Sequence, residues 1–314
     1  FFTALIAWFW NLRADSGYLV LSELSLEANR KVNTNLNLNR THQRIAFWTL
    51  TGLAAAGGGI GNGADGYSDT PMVVDAPEYH VHDPARPQPE VVAPGEINRY
   101  TLMASPPSDA IVLFDGTNLD AWNGGPWKLG VGYVEVVPKA GNLTTKESFG
   151  DIQLHLEWRT PAGIIGSGQG RGNSGVFLMD RYEIQILDSH RNVTYADGSA
   201  GSVYGAQPPM VNASRARGEW QSYDIIWRGP RVDGENLTRP ATVTVLHNGV
   251  LIQDHYVLMG ESVHKKAAVY TPHGPTGPIR LQDHKNKVRF RNIWVRPLPD
   301  RPDNCVSGGT GDET

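Results

Sequence analysis

Short runs in which apolar and polar residues alternate dominate the chain between Asp109 and Pro297, and turn-forming residues separate these runs. The segment IQLHLEWR at residues 152–159 shows the pattern most clearly, because every second residue is apolar. A period of two places alternate side chains on opposite faces, so each run predicts a half-buried β-strand. Asn248-Gly249, between two further runs, fits a type I′ hairpin turn, whose two central residues need positive φ. Strands at this spacing, without a long helical pattern, predict an all-β antiparallel sandwich of about 190 residues.

The composition excludes several other classes of protein. The 35 Gly and 21 Pro are an excess, yet they remain below the level of a disordered low-complexity chain, and 9 Trp, 11 Tyr and 8 Phe are available for a core. The net charge of −4 provides no basic field for phosphates, so we predict no nucleic-acid partner. A single cysteine, Cys305, excludes an internal disulfide and a cysteine-based zinc cluster.

The N-terminal third differs from the rest of the chain. Its first ten residues, FFTALIAWFW, are strongly apolar but too few for a transmembrane span, which needs about 20 residues. Residues 19–38 fit a surface helix or an extended arm. Residues 40–56 combine a basic flank, an apolar run and small residues, which are the parts of a secretory signal peptide. Either the natural start lies near Thr41, or the segment is a retained apolar arm that packs on a neighbouring subunit. We predict a secreted, periplasmic or cell-surface protein.

Shifts in composition divide the chain into four predicted parts. These are an apolar arm with a Gly-rich hinge at 1–65, a Pro-rich linker at 66–108, the sandwich domain at 109–298 and a polar tail at 299–314. The linker contains His80 and His82, which could share a metal along a strand. Because no third ligand lies nearby, we interpret them as a solvated pair.

The densest group of polar residues follows a predicted strand that starts at Tyr182. Alternation places Glu183 and Gln185 on the face opposite the core, and a bulge after the strand would bring Asp188 to the same face. Two carboxylates along one face can act as acid and base in glycosidic chemistry. A solvated outer face explains the same pattern.

These residues resemble two known families. Residues 183–188, EIQILD, resemble a variant of the E-x-D-x-x-E strand of laminarinase-type glycoside hydrolases, with Gln185 and Asp188 replacing acids of the motif. The resemblance to the 3-keto-disaccharide hydrolase family is closer and covers residues 109–297 in order. It rests on LFDGTNLDAW (113–122), TKESFGD (145–151), EWR (157–159), GNSGV (172–176), YEIQILD (182–188), GEW (218–220), HNGV (247–250), LQDH (281–284) and FRNIW (290–294).

The resemblance implies a concanavalin-A-like jelly roll whose concave sheet binds a sugar oxidised at C3. A ketone at C3 acidifies the C2 proton, so a base can remove it while the glycosidic oxygen leaves C1, and hydration follows. The resemblance then implies that Glu183 and His284 are the acid and base pair and that Asp188 assists them. Tyr204 is expected to form a wall of the site. The residues expected to orient the sugar or stabilise the enolate are Arg159, Asn173, Gln185 and Gln282.

Other interpretations of these residues remain open at this point. Arg159 could be a rim charge and Asn173 a turn former, while Trp122, Trp127, Trp220 and Trp294 fit the core better than a sugar platform. In the resembling family a glycine usually follows the histidine, whereas Lys285 does so here and could shift His284 if the backbone needs positive φ.

Two other functions are compatible with the sequence. One is a catalytically silent carbohydrate-binding module. The other is a structural subunit of an extracellular filament or homo-oligomer, in which residues 1–56 dock on the next copy. The sequence indicates neither a cofactor nor a metal site, and it leaves open whether a divalent metal assists.

Overall fold

The computed structural model describes residues 65–96, 105–163, 165–234 and 236–299. Within these ranges the chain forms β-strands and two short 3-10 helices, Gly168–Gly170 and Ala196–Gly198. The strands are β1 (Met72–Val73), β2 (Ala76–His80), β3 (Glu90–Val91), β4 (Ile111–Phe114), β5 (Trp122–Gly124), β6 (Lys128–Gly130), β7 (Tyr133–Glu135), β8 (Leu143–Phe149), β9 (Ile152–Arg159), β10 (Ser174–Leu178), β11 (Tyr182–Ile186), β12 (Val211–Asn212), β13 (Gln221–Arg228), β14 (Arg231–Asp233), β15 (Asn236–Arg239), β16 (Thr242–His247), β17 (Val250–Val257), β18 (Gly277–Leu281) and β19 (Arg289–Pro297).

Two antiparallel sheets pack face to face, as the alternating runs predicted. A five-stranded sheet has the order β11-β10-β18-β8-β5, and a larger sheet has the order β17-β16-β13-β9-β19-β7-β6, with β4 also paired to β19. The core between them contains large side chains that are almost fully buried, among them Trp158, Tyr182, Tyr223, Trp227 and Phe290. The outer face of the five-stranded sheet is therefore the place where its polar residues can form a site.

The hairpin between β16 and β17 confirms the predicted turn. Asn248 and Gly249 have φ values of 54° and 81°, and His247 pairs with Val250 across a two-residue loop. Asparagine and glycine tolerate this left-handed region, which explains why the dipeptide gives a specific signal.

The outer face of β9 differs from the half-buried, solvated face that its alternation predicted. His155 and Glu157 are 5% and 0% exposed, because Trp294 stacks on the His155 ring at 5.2 Å and the Arg291 guanidinium bonds Glu157 at 2.6 Å. The sequence favoured a core position for Trp294. A register shift between Arg291 and Trp294 instead turns Trp294 outwards.

His155 is expected to make the stability of the protein depend on pH. Burial by itself lowers the pKa of His155, but hydrogen bonds to Asp224 and Glu157 outweigh it and raise the pKa to about 9. Because this pKa lies above the unfolded-state value of about 6.5, protonated His155 adds to the free energy of unfolding. This added stability is complete below pH ~6.5 and is lost as pH rises through 9. The unfolding free energy of wild type minus that of His155→Gln should therefore fall over this interval.

The measurement is urea unfolding of both proteins from pH 6 to pH 10, with His190→Gln as a variant of a less buried histidine. A difference between wild type and His155→Gln that stays constant up to pH 10 would contradict the assignment of a protonated His155.

Residues 65–96, here called the strap, are largely extended and pack on the sandwich. His82 is fully buried: its backbone N–H donates to Asp197 at 2.9 Å, and its ring Nδ1 lies 3.3 Å from the other carboxylate oxygen. The Arg86 guanidinium donates to the carbonyl of Ala206 at 2.6 Å, and β3 pairs in parallel with β12. The interpretation of His80 and His82 as a solvated pair is thus wrong for His82, because the buried Asp197 carboxylate binds it.

Several predictions concern the ends of the chain and lie outside the described residues. They include the apolar arm at 1–56 with its docking role, the segment that resembles a signal peptide, and Cys305. Among the described residues, no helix is long and apolar enough to cross a membrane.

Candidate active site

A cavity of about 730 Å³ lies on the outer face of the five-stranded sheet. Six of the eight predicted site residues line it, namely Asn173, Glu183, Gln185, Tyr204, Gln282 and His284. The other lining residues are Asp65, Gly66, Tyr67, Gln169, Gly170, Phe177, Tyr195, Ser262 and His264. The cavity therefore combines residues of adjacent strands with residues of four loops and of the strap.

Strand β11 presents Glu183 and Gln185 to the cavity for the reason that the sequence suggested. Tyr182, Ile184 and Ile186 belong to the core, so the two residues between them must lie on the outer face. A tight turn at Met179 and Asp180, with φ values of 54° and 61°, connects β10 to β11. This hairpin sets Gly175 opposite Gln185 and Phe177 opposite Glu183.

The Glu183 carboxyl is almost enclosed by protein. Its residue is 5% exposed, and a Cβ added to Gly175 would lie 2.1 Å from the Glu183 Oε1. Burial raises the pKa of Glu183 to about 8, and the cation of Arg280 opposes this shift without reversing it. The carboxyl group thus keeps its proton at neutral pH, as a general acid must.

His284 follows the end of β18 and lines the same cavity. His284 is an exposed residue, and partial desolvation of its ring is the main cause that lowers its pKa, with the neighbouring Lys285 cation acting in the same direction. Lys285 has a φ of 64°, so the backbone does adopt the left-handed conformation that the missing glycine implied. The backbone amides nearby remain paired, because Asp283 N–H donates to the Asn142 side chain and Lys285 N–H to the Asp283 carboxylate.

Gln169 organises the amides at the floor of the cavity, and the sequence offered no signal for it. Its Oε1 accepts hydrogen bonds from Asn173 at 3.0 Å and from Gln185 at 2.9 Å, while its own NH₂ donates to Thr194 and Gly198. With their NH₂ groups engaged, Asn173 and Gln185 can offer their amide oxygens to a ligand. The Oε1 atoms of Gln185 and Gln282 are buried and lack a hydrogen-bond partner among the described residues.

An aromatic wall of Tyr67, Tyr195, Tyr204 and His264 lines one side of the cavity. The hydroxyls of Tyr195 and Tyr204 are 3.0 Å apart, and the Tyr204 hydroxyl lies 2.9 Å from His264 Nδ1. Burial raises the pKa of both tyrosines, and burial with nearby cations lowers the pKa of His264. Tyr195, Tyr204 and His264 are therefore uncharged at neutral pH. Of the members of the wall, sequence reasoning found only Tyr204, because the others occupy loops without a periodic pattern.

Two predicted site residues lie elsewhere. Asp188 does not join Glu183: the chain leaves the sheet after Ile186, and the Asp188 carboxylate is 2.8 Å from Arg171 Nε. Asp188 thereby anchors the loop that carries Gln169 and Asn173. Arg159 follows Trp158, whose indole enters the core, so Arg159 lies on the outer face of the other sheet, where its guanidinium is 4.8 Å from the Trp220 ring. The prediction that Arg159 contacts the sugar does not fit this position.

No group of three or more His, Cys, Asp or Glu side chains able to hold a metal ion occurs within the part of the chain that the structure describes. The titratable groups that line the cavity are instead distributed among different walls.

A sandwich with this polar cavity on one outer face is the architecture of carbohydrate-active jelly-roll proteins. Family comparison matches residues 109–296 to the 3-keto-alpha-glucoside-1,2-lyase-like domain, and the chain belongs to this family. A search of curated proteins finds no match.

One solved structure of a similar protein agrees with this assignment. The crystal structure of a candidate glycosyl hydrolase from Parabacteroides distasonis ATCC 8503, at 2.13 Å resolution, is 41% identical, covers 68% of this chain and 93% of its own, and has a TM-score of 0.62. A second candidate glycosyl hydrolase from the same organism is 16% identical, covers 66% of this chain and 100% of its own, and has a TM-score of 0.47. The predicted concanavalin-A-like jelly roll is confirmed.

Proposed function

We propose that the cavity cleaves 3-keto-glycosides by elimination followed by hydration, with Glu183 as the acid and His284 as the base. The observation that carries this proposal is the opposite direction of two pKa shifts in one cavity. Burial makes Glu183 a protonated carboxylic acid at neutral pH, and partial desolvation keeps the imidazole of His284, an exposed residue, neutral. Two titratable groups whose environments separate their pKa values in this way fit an acid and base pair.

In the first step, His284 removes the proton from C2 of the 3-keto sugar. The electron pair of that bond forms a double bond between C1 and C2, and the bond between C1 and the glycosidic oxygen breaks. Glu183 gives its proton to the leaving oxygen, which departs as an alcohol. The Gln282 amide, two residues before His284 in the chain and also a lining residue of the cavity, donates to the C3 oxygen while negative charge develops there.

In the second step, water adds to C1 and a proton returns to C2. The Glu183 carboxylate takes a proton from the water, and the His284 imidazolium supplies the proton to C2. Both residues thereby regain their starting states. Together, the two steps convert one 3-keto-glycoside and one water molecule into a 3-keto sugar and an alcohol.

The unpartnered amide oxygens of Gln185 and Gln282 support a sugar as the ligand. A buried acceptor without a partner costs about 1–3 kcal/mol, and the hydroxyl groups of a sugar can supply the missing donors. The aromatic wall adds an apolar surface for the C–H face of a pyranose ring.

The direct test is turnover of methyl 3-keto-glucoside beside unoxidised methyl glucoside. Only the oxidised substrate should react, because only its C2 proton is acidic. The rate should fall above pH ~8, where Glu183 ionises, and again on the acid side, where His284 gains a proton at a pH below the ordinary imidazole pKa of 6.5. His284→Ala should lower kcat by ~100-fold or more, which is the usual contribution of a general base.

Lys287→Ala is a matched control that removes another side chain from the same turn while leaving Glu183 and His284 in place. Equal turnover in wild type and in His284→Ala would end the acid and base assignment. Binding of the sugar without any turnover would favour the silent carbohydrate-binding module.

A further inference from the structure

The strap contributes to a cavity that otherwise belongs to the family domain. Asp65, Gly66 and Tyr67 line the cavity, although the family domain begins only at residue 109. Tyr67 is the aromatic member of this group and is half-buried. The wall of the cavity is therefore incomplete without a segment that precedes the family domain in the chain.

The position of Tyr67 is well determined by its neighbours. The Tyr67 N–H donates to the His82 carbonyl at 2.9 Å, and a Cβ added to Gly66 would lie only 2.6 Å from the same oxygen. His82 is in turn bound by the buried Asp197. On the other side, the Tyr67 ring meets His264 edge to face at 5.9 Å, and the Lys265 ammonium lies 3.4 Å from the ring centroid. These contacts orient the ring as part of a preformed wall.

The aromatic wall lies on the Glu183 side of the cavity. Strand β11 is the edge of the five-stranded sheet, and Tyr204 covers this edge by donating its N–H to the Glu183 carbonyl. The Glu183 N–H donates to the hydroxyl of Ser262, two residues before His264. His284, by contrast, follows β18, which is separated from β11 by β10. Tyr67, through its contact with His264, continues the wall that begins beside Glu183.

We propose that Tyr67 forms the subsite for the leaving-group sugar of a disaccharide substrate. The proposal rests on the proposed function, because an acid at Glu183 places the leaving oxygen, and hence the second ring, on the side of the aromatic wall. The Tyr67 ring then stacks on the C–H face of that second ring. Tyr67 is a specificity-determining residue that the 3-keto ring itself does not contact.

The test compares a 3-keto-glucosyl-glucose disaccharide with methyl 3-keto-glucoside. Tyr67→Ala should lower kcat/KM for the disaccharide by about 10- to 50-fold and for the methyl glycoside by less than about threefold, because only the disaccharide has a second ring to lose contact. Tyr67→Phe keeps the ring and should stay within about threefold of wild type on both substrates.

Tyr79→Ala is the matched control, since Tyr79 is another half-buried strap tyrosine and does not line the cavity. An equal loss on both substrates, or no loss on the disaccharide, would overturn the subsite. If wild type turns over neither substrate, the proposed function fails by itself. The subsite is then judged by calorimetric titration with unoxidised glucose disaccharide and methyl glucoside. Weaker disaccharide binding to Tyr67→Ala alone supports it, and equal or absent disaccharide binding in both proteins overturns it.

Discussion

Glu183→Gln is expected to lose turnover of 3-keto-glycosides by roughly 1,000-fold and, at pH 8, to unfold at a higher temperature than wild type. The loss of activity follows because an amide cannot give a proton to the leaving oxygen. The gain in stability follows because glutamine has nearly the same shape and carries no titratable group into the enclosed position beside Gly175. A catalytic group that is costly to bury should show both effects together.

The sign of the stability effect follows from proton binding. Burial raises the pKa of Glu183 from 4.5 to about 8, so between these pH values the folded protein holds a proton that the unfolded chain releases. Wild type therefore loses stability as pH rises through this interval, whereas Glu183→Gln does not. We expect a difference of ~3 kcal/mol at pH 7, or about 6–12 °C in Tm, and no difference near pH 4.

Glu147→Gln provides the control, because Glu147 is an exposed residue on β8 of the same sheet. It makes the same chemical change without relieving a buried carboxyl group. Differential scanning calorimetry from pH 4 to pH 8 measures the effect. A Tm difference between wild type and Glu183→Gln that does not grow with pH would contradict a raised pKa, and full activity in Glu183→Gln would remove it from the mechanism.

Asp197→Ala is expected to destabilise the protein by ~3 kcal/mol, which corresponds to about 6–12 °C in Tm. The Asp197 carboxylate accepts the backbone N–H of His82 and contacts its ring, and both residues are fully enclosed. Alanine would leave these polar groups of His82 buried without a partner. Because the His82 ring packs on Tyr195 at 4.2 Å and on Tyr204 at 4.7 Å, disaccharide turnover should fall with stability.

Asp75→Ala is the matched comparison, since Asp75 also joins the strap to the sandwich through its side chain. It accepts a hydrogen bond from the Tyr256 hydroxyl at 2.7 Å, but it is exposed. An exposed hydrogen bond should contribute less than about 1 kcal/mol. The Tm of Asp197→Ala in thermal unfolding should therefore lie clearly below that of Asp75→Ala. Equal Tm values would mean that the His82 and Asp197 contact does not hold the strap in place.

Local patterns predicted those features that depend on neighbours along the chain. Alternation placed Glu183 and Gln185 on the outer face of β11, because the core requires the residues on either side of them. Asn248-Gly249 predicted its turn, because the φ values of a two-residue hairpin loop select these residue types. The sequence also suggested that Lys285 occupies a position with positive φ, and it does. His284 nevertheless lines the cavity.

Asp188 and Arg159 lie outside the cavity for two different reasons. The prediction for Asp188 extended the alternation of β11 beyond the end of the strand. Alternation does not determine which residues the chain contacts there, and Arg171 binds Asp188 away from the cavity. For Arg159 the motif was recognised, but the sheet that carries it faces away from the site. Tyr67, Gln169 and His264 reach the cavity from the strap and from loops, where no periodicity marks a face.

The sequence by itself determined the sandwich, the identity of the family and the pairing of Glu183 with His284 in one candidate site. Periodicity and turn chemistry are local properties, so they can be recognised without knowing what packs against a strand. Only the tertiary structure decided that Glu183 is enclosed, that Asp188 and Arg159 lie apart from it, and that the strap supplies Tyr67. Burial and charge pairing depend on residues far apart in the chain, such as His82 and Asp197, and these meet only when the sheets and loops have assembled.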